Sequence, residues 1–325
     1  MSKSGNNRKT MKTGLALGSG GARGWAHIGV LLELKKMGFE PFCIAGTSIG
    51  SIAGALYATD TLELAEDLAL HLNWKQVAQL FLEVNFLRSG LVSGKNFMRL
   101  LKDVIPARSF DELQYPLAIV ATDLNTEKEV VFRDGDLMNA IRSSISIPGI
   151  FTPVEYKHTH LVDGGLVNPL PISVCHSMGA DKVIAVDINL KTPSVSEKKP
   201  VSRKKTGDTV YEEKTTNIIM DLKVSVSKLL PQLQTPVSET FQRWFDTREK
   251  PHESLSIMDV LTRSFRLGEN EITRSTIRLN PPEVLIQPEV GDIMTLEFYR
   301  GKETIEAGQQ AVRNKKEELE ALIQG

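Results

Sequence analysis

Cysteine is scarce in this chain, and the two that occur, Cys43 and Cys175, both lie in apolar segments. That usage excludes a disulfide-built scaffold and gives no Cys-x-x-Cys metal spacing, so both read as reduced core residues. Net charge is also nearly absent, at −1, which removes the basic balance of a nucleic-acid binder, and no nucleic-acid partner is expected. Long apolar runs are missing too. The longest uncharged stretch, residues 41–59, is interrupted by glycines and hydroxyls, and suits a buried strand, turn and helix better than a membrane span. The first twelve residues carry Lys3, Arg8, Lys9 and Lys12 with no apolar centre, unlike a secretory leader, and a cytoplasmic location is expected. What remains is a 325-residue chain with 41% apolar and 24% charged residues, ordinary for a globular α/β protein with a sizeable core.

The chain is organised around Gly46-Thr47-Ser48-Ile49-Gly50. A short apolar run precedes it and a small-residue helical pattern follows. This is G-x-S-x-G between a strand and a helix, the arrangement of a nucleophile elbow. A serine on so tight a turn has glycines two before and two after it, and the helix that begins there directs N–H groups toward a reacting ester.

Upstream, residues 14–18 read as a strand and 25–37 as a helix. Between them lies the turn Ser19-Gly20-Gly21-Ala22-Arg23-Gly24. Two readings stand for it. One is a phosphate cradle, which lacks a following Gly-Lys-Ser/Thr and a placed ribose acid. The other is an oxyanion hole, where glycines let backbone N–H groups approach an acyl carbonyl. Downstream, strands are expected at 117–121, 129–132, 182–187 and 284–286, and helices at 48–58, 61–72 (Thr61 as N-cap), 94–104, 137–144, 170–178, 255–267 and 302–323. Residues 74–93 read as a lid or a pocket wall. Strands alternating with helices indicate a largely parallel sheet covered on both faces.

A serine nucleophile needs a base. The chain holds six histidines, so counting alone leaves a Ser-His-Asp triad open. His27 falls inside a helix, and His158 and His160 suit a solvent-facing strand edge better than a metal pair. Asp163, ahead of Gly164 and Gly165, stands in a turn. A carboxylate in an enclosed site can take the serine proton itself if burial raises its proton affinity; taken alone, Asp-Gly-Gly is an ordinary turn.

Together, the turn from Leu17 and Gly18 through Gly24, the Ser48 pentapeptide, the stretch Ser143-Ser144-Ile145-Ser146-Ile147-Pro148-Gly149-Ile150-Phe151 and the Asp163-Gly164-Gly165 triplet resemble the patatin-like phospholipases, most nearly the small bacterial members. The likeness spans about residues 14–187 and is weaker from 255 onward. It implies a three-layer α/β fold with a mainly parallel central sheet covered by helices on both faces. It also implies cleavage of lipid acyl esters through a Ser-Asp dyad and an acyl-enzyme. By carry-over Ser48 is the nucleophile, Asp163 the base, and Gly20, Gly21 and Arg23 form the oxyanion hole. Gly18, Gly24, Gly46, Gly50, Gly164 and Gly165 support these turns, and no metal or cofactor is needed. Ser19 is a departure, since many members carry glycine there. The competing expectations are a catalytically weak lipid-binding or regulatory protein that keeps the fold, and a nucleotide binder.

The domain reading has four parts: a flexible start at 1–12, a catalytic core at 13–190, an insertion at 191–254, and 255–325 completing the same domain. Within the insertion, 191–216 is polar and reads as flexible. Residues 217–245, opening at Asn217 and closing at Phe245, carry apolar residues at helical spacing, interrupted by Pro231 and Pro236. That segment is expected to serve as a peripheral membrane contact at the inner surface, or to pack on the domain or in a homo-oligomer.

Overall fold

The computed structural model describes residues 11–81, 92–189 and 257–324. The expected insertion, including the amphipathic segment 217–245, lies outside the described residues, as do 1–10 and 82–91.

Eight strands form one mixed sheet. They are β1 Thr13–Leu17, β2 Cys43–Thr47, β3 Leu117–Asp123, β4 Lys128–Phe132, β5 Val154–Tyr156, β6 Thr159–Asp163, β7 Lys182–Val186 and β8 Val284–Ile286. Their spatial order is β5-β6-β3-β2-β1-β7-β8, with β4 on the free edge of β3. The pairs β1–β2, β2–β3, β1–β7 and β7–β8 are parallel, and β3–β4, β3–β6 and β5–β6 antiparallel. The chain thus starts in the middle of the sheet and builds outward on both sides, and the loops after β1 and β2 emerge where the strand order reverses. Open α/β sheets place their sites at such points.

The helices are α1 Trp25–Lys36, α2 Ile49–Ala58, α3 Leu62–His71, α4 Trp74–Phe81, α5 Lys95–Val104, α6 Leu137–Ser144, α7 Ile172–Ser177, α8 Ile257–Leu279, α9 Gly301–Asn314 and α10 Lys316–Gln324. Successive strand residues face opposite sides of the sheet, and the two sides differ in bulk. Leu15, Leu17, Ile44, Ile119 and Ile184 join the larger core, with α1, α2 and α3. Ala16, Ala45, Ala118 and Ala185 face a smaller core with Ile172, Val174 and Cys175 of α7. Both cysteines are buried and unpaired.

Three expectations need adjustment. Thr61 precedes α3, but its hydroxyl reaches back to the Leu56 carbonyl rather than capping the helix. The expected helix over 255–267 runs on to Leu279, and the last helix breaks in two at Lys315. The β5–β6 hairpin adds an antiparallel edge beyond the parallel core.

Candidate active site

Ser48 follows the last residue of β2 and precedes α2, without a side-chain capping bond, at φ 54° and ψ −123°. That conformation is costly for a residue with a side chain, and such strain is retained where the surroundings over-determine it. Here they do. The Ser48 N–H donates to Ser144 Oγ at 2.8 Å, whose own hydroxyl donates to the Val120 carbonyl at 2.6 Å. Ser51 Oγ donates to the Ser48 carbonyl at 2.6 Å. The flanking glycines are sterically required. A Cβ at Gly46 would stand 2.5 Å from the Gly50 carbonyl oxygen, and one at Gly50 would stand 2.2 Å from that of Leu17.

Sheet register brings Asp163 to Ser48. Thr47 of β2 pairs with Val120 of β3, and Asp163 of β6 pairs with Ala121. The opposite edge of β3 is occupied by β4, so β2 and β6 share one edge and meet end to end. Ser48 Oγ donates to Asp163 Oδ2 at 2.5 Å. The Gly165 N–H donates to the other carboxyl oxygen at 2.8 Å, and Thr122 Oγ1 donates to the Asp163 carbonyl at 2.8 Å. Ser48 is 3% exposed and Asp163 1%. No salt bridge among the described residues reaches Asp163. Burial therefore dominates and pushes its carboxyl up to about 7, against the hydrogen bonds from Ser48 and Gly165.

The histidines among the described residues make no hydrogen bond to Ser48 or Asp163. His27 is buried in α1 with Nε2 2.8 Å from the Gly18 carbonyl oxygen, and burial lowers its pKa to about 4, so it is neutral. His158 and His160 are exposed on the β5–β6 hairpin. Among the described residues no group of three or more His, Cys, Asp or Glu is arranged to hold a metal ion.

The glycine turn forms a single 3-10 turn, Gly21–Gly24. The Gly18 N–H donates to Val186, that of Ser19 to Pro169 and that of Ala22 to Thr295. The N–H groups of Gly20 and Gly21 have no acceptor among the described residues, and both glycines line a chamber with Ser48 and Asp163. The Arg23 side chain turns into the protein. It donates to the Ile293 carbonyl at 2.9 Å and to Asn189 Oδ1 at 2.7 Å, tying the turn to the C-terminal loop. Burial lowers its pKa to about 10, with Glu269 opposing and Arg266 adding to the shift.

Helix α8 closes the chamber with Thr262, Phe265, Arg266 and Glu269, none of them singled out from the sequence. Glu269 is 5% exposed. Its carboxylate accepts from Ser19 Oγ and, at 3.4 Å, from Asn189 Nδ2, and Asn189 also donates to Ser19 Oγ at 3.1 Å. Burial, then the nearby Asp163 carboxylate, push it up to about 8 against the Ser19 hydrogen bond and Arg23. The available signal is spacing: Thr262, Arg266, Glu269 and Thr273 share one helical face, and Glu269 and Thr273 are buried polar residues on it.

On the opposite side Ser48 opens onto an apolar cavity walled by Ile49, Ile52, Phe81, Phe97, Phe151 and Phe298. It continues between α1, α2, α3 and α5 into a second apolar space that shares Ile49, Ile52, Phe97 and Phe298. Phe81 ends α4, so the described part of the expected lid or wall serves as wall.

An α/β sheet with this elbow, glycine turn and carboxylate defines a class, and similarity to known proteins agrees. Residues 15–176 match the model of the patatin-like phospholipases and place the chain in that family. An uncharacterized NTE family protein of Mycobacterium tuberculosis is 28% identical over 324 residues, covering 91% of this chain and 89% of the relative. The human patatin-like phospholipase domain-containing protein 6 is 36% identical over 181 residues, 54% of this chain but 13% of that protein. The solved structure of VipD from Legionella pneumophila covers 96% of this chain and 67% of its own, at 12% identity and a TM-score of 0.44, too distant to carry an argument. Among the described residues no helix is long and apolar enough to cross a membrane.

Proposed function

We propose that the protein is a serine hydrolase of lipid acyl esters, of the phospholipase A, lysophospholipase or esterase type, working through a Ser48–Asp163 dyad. The observation that carries this reading is the 2.5 Å hydrogen bond from Ser48 Oγ to a carboxyl raised to about 7 by burial, made at a strained elbow. The Ser48 oxygen attacks the ester carbonyl carbon while its proton passes to Asp163 Oδ2. The carbonyl oxygen becomes an oxyanion facing the unoccupied N–H groups of Gly20 and Gly21, each such donor being worth about 3 kcal/mol in the transition state. Collapse expels the alcohol, which takes the proton from Asp163 and leaves an acyl-Ser48 ester. Water then attacks that ester with Asp163 again as base, releasing the fatty acid and restoring the serine.

The apolar cavity supports a fatty acyl chain as the group transferred, since each methylene moved there from water contributes about 0.8 kcal/mol. A fluorophosphonate probe tests the reading directly. It should label the wild-type chain at Ser48 and not label Ser48→Ala. An unlabelled wild type would sink the proposal.

For location we propose a cytoplasmic protein working at the inner membrane surface through residues 217–245. Deleting 191–245 should then lower liposome binding, most at low salt, while hydrolysis of a short soluble ester persists. Unfolding or a changed oligomeric state instead would assign the segment a structural role.

A further inference from the structure

The space around Ser48 divides in two. Gly21, Ser48, Ile147 and Thr295 line both parts. One part is the apolar cavity. The other is the chamber under α8, lined by Arg266, Thr262 and Glu269 together with Gly20 and Asp163. An ester bound at Ser48 with its acyl chain in the apolar cavity must direct its alcohol half into the second chamber.

Two guanidinium groups border that chamber, and they differ. Arg23 is buried and committed to Ile293 and Asn189. Arg266 is half-buried and makes no hydrogen bond or ion pair among the described residues. The two are close enough for Arg266 to disfavour the Arg23 charge. Neither carboxyl of the chamber is bonded to Arg266: Glu269 is held by Ser19 and Asn189, and Asp163 by Ser48 and Gly165. A planar guanidinium with open donors matches the paired oxygens of a phosphate.

We propose that Arg266 determines specificity for the alcohol half, receiving a phosphodiester carried on glycerol, so that acyl esters of glycerophosphodiesters are preferred over neutral glycerides of the same chain length. This rests on the acyl-hydrolase reading of Ser48 and Asp163. It is tested on the full chain with two monomeric substrates sharing one acyl chain, a 1-acyl-glycerophosphocholine and the corresponding 1-acylglycerol. The readout is the ratio of their kcat/KM values.

Wild type should favour the phosphodiester. Arg266→Gln should lower the ratio by about 10- to 100-fold, the loss of a charge-assisted hydrogen bond, and Arg266→Lys should fall between. Inhibition by glycerophosphocholine, assayed on a short neutral ester, should weaken in parallel. Inorganic phosphate matching it as an inhibitor would mean that the site reads a free anion rather than a lipid head group, and would overturn the proposal. So would an unchanged ratio in Arg266→Gln, or no preference in the wild type. A wild type that cleaves neither ester and escapes fluorophosphonate labelling would instead overturn the underlying hydrolase reading, and the labelling tells the two failures apart.

Discussion

Asp163 and Glu269 flank the same glycine and are held in different ways. A Cβ at Gly165 would stand 2.2 Å from Glu269 Oε1 and 3.1 Å from Asp163 Oδ1, so both carboxyls crowd one point. Both are buried, both accept a serine hydroxyl, and burial raises both, to about 7 and about 8. Asp163 ends a strand and its serine sits on the strained elbow. Glu269 projects from a helix and its serine belongs to the glycine turn. Similar electrostatics do not by themselves assign a role: a raised proton affinity marks burial without a dominating cation, and on the proposed mechanism the identity of the donor decides whether that affinity is used.

Substitution should separate the two. Ser48→Ala and Asp163→Asn should each cut ester hydrolysis by about 1,000-fold or more while the far-ultraviolet spectrum stays native. The double variant should be little worse, because groups acting as one unit lose activity non-additively. At Glu269 the larger effect should fall on the fold. Glu269→Ala leaves the buried Ser19 hydroxyl without its acceptor and should lower unfolding stability by about 1–3 kcal/mol in a urea titration, whereas Glu269→Gln should retain most of it. If Glu269→Ala is as stable as wild type but as inactive as Asp163→Asn, the contrast drawn between the two carboxyls is wrong.

A smaller effect should appear in pH dependence. Each carboxyl is protonated more readily in the folded protein than in the unfolded chain, where the values are 3.8 and 4.5. Folding therefore binds protons between those values and about 8. The stability due to these groups is complete below the unfolded values and declines as pH rises through about 7 and about 8. An Asp163→Asn, Glu269→Gln double variant should flatten that decline relative to wild type in urea titrations between pH 5 and pH 9. A variant with the wild-type slope would show that the two groups are not buried as described. The smallest effect should come from His158→Ala and His160→Ala, exposed on the hairpin, which should change stability by less than about 0.5 kcal/mol and leave turnover near wild type. Loss of turnover in either would restore a histidine base.

The parts of the site legible in the sequence are those whose backbone geometry constrains their neighbours. The Ser48 elbow leaves no room for a Cβ at Gly46 or Gly50, and the first turn leaves none at Gly20, against Ile188, or at Gly21, which has φ 59° and stands against Thr295. These constraints write themselves into adjacent letters. Glu269 and Arg266 leave no such trace: Ser19 and Glu269 are 250 residues apart, and α8 reaches the turn by tertiary packing alone. Ser144 stood within a recognised stretch, yet its hold on the Ser48 N–H depends on α6 docking against β3. In the fold, alternating strands and helices announced the parallel half. The three-residue β5, half-exposed and paired among the described residues only with β6, lacked an apolar run to announce it. The helix expected to end at 267 runs through Gly268, an exposed glycine with nothing near it, because the helix is packed further on through Glu269 and Thr273.

The end-to-end meeting of β2 and β6 on one edge of β3 also bears on assembly. Ser48 and Asp163 are 115 residues apart, and neither segment pairs with the other directly. No local hairpin can therefore preform the dyad; two separate long-range closures onto β3 must both be completed, each opposed by the entropy of the intervening chain. Register adds a second condition. A slip of one residue between β3 and β6 would turn the Asp163 side chain to the other face of the sheet. The proposed reactivity at Ser48 therefore requires both closures, and its appearance during refolding would time the correct alignment of β6.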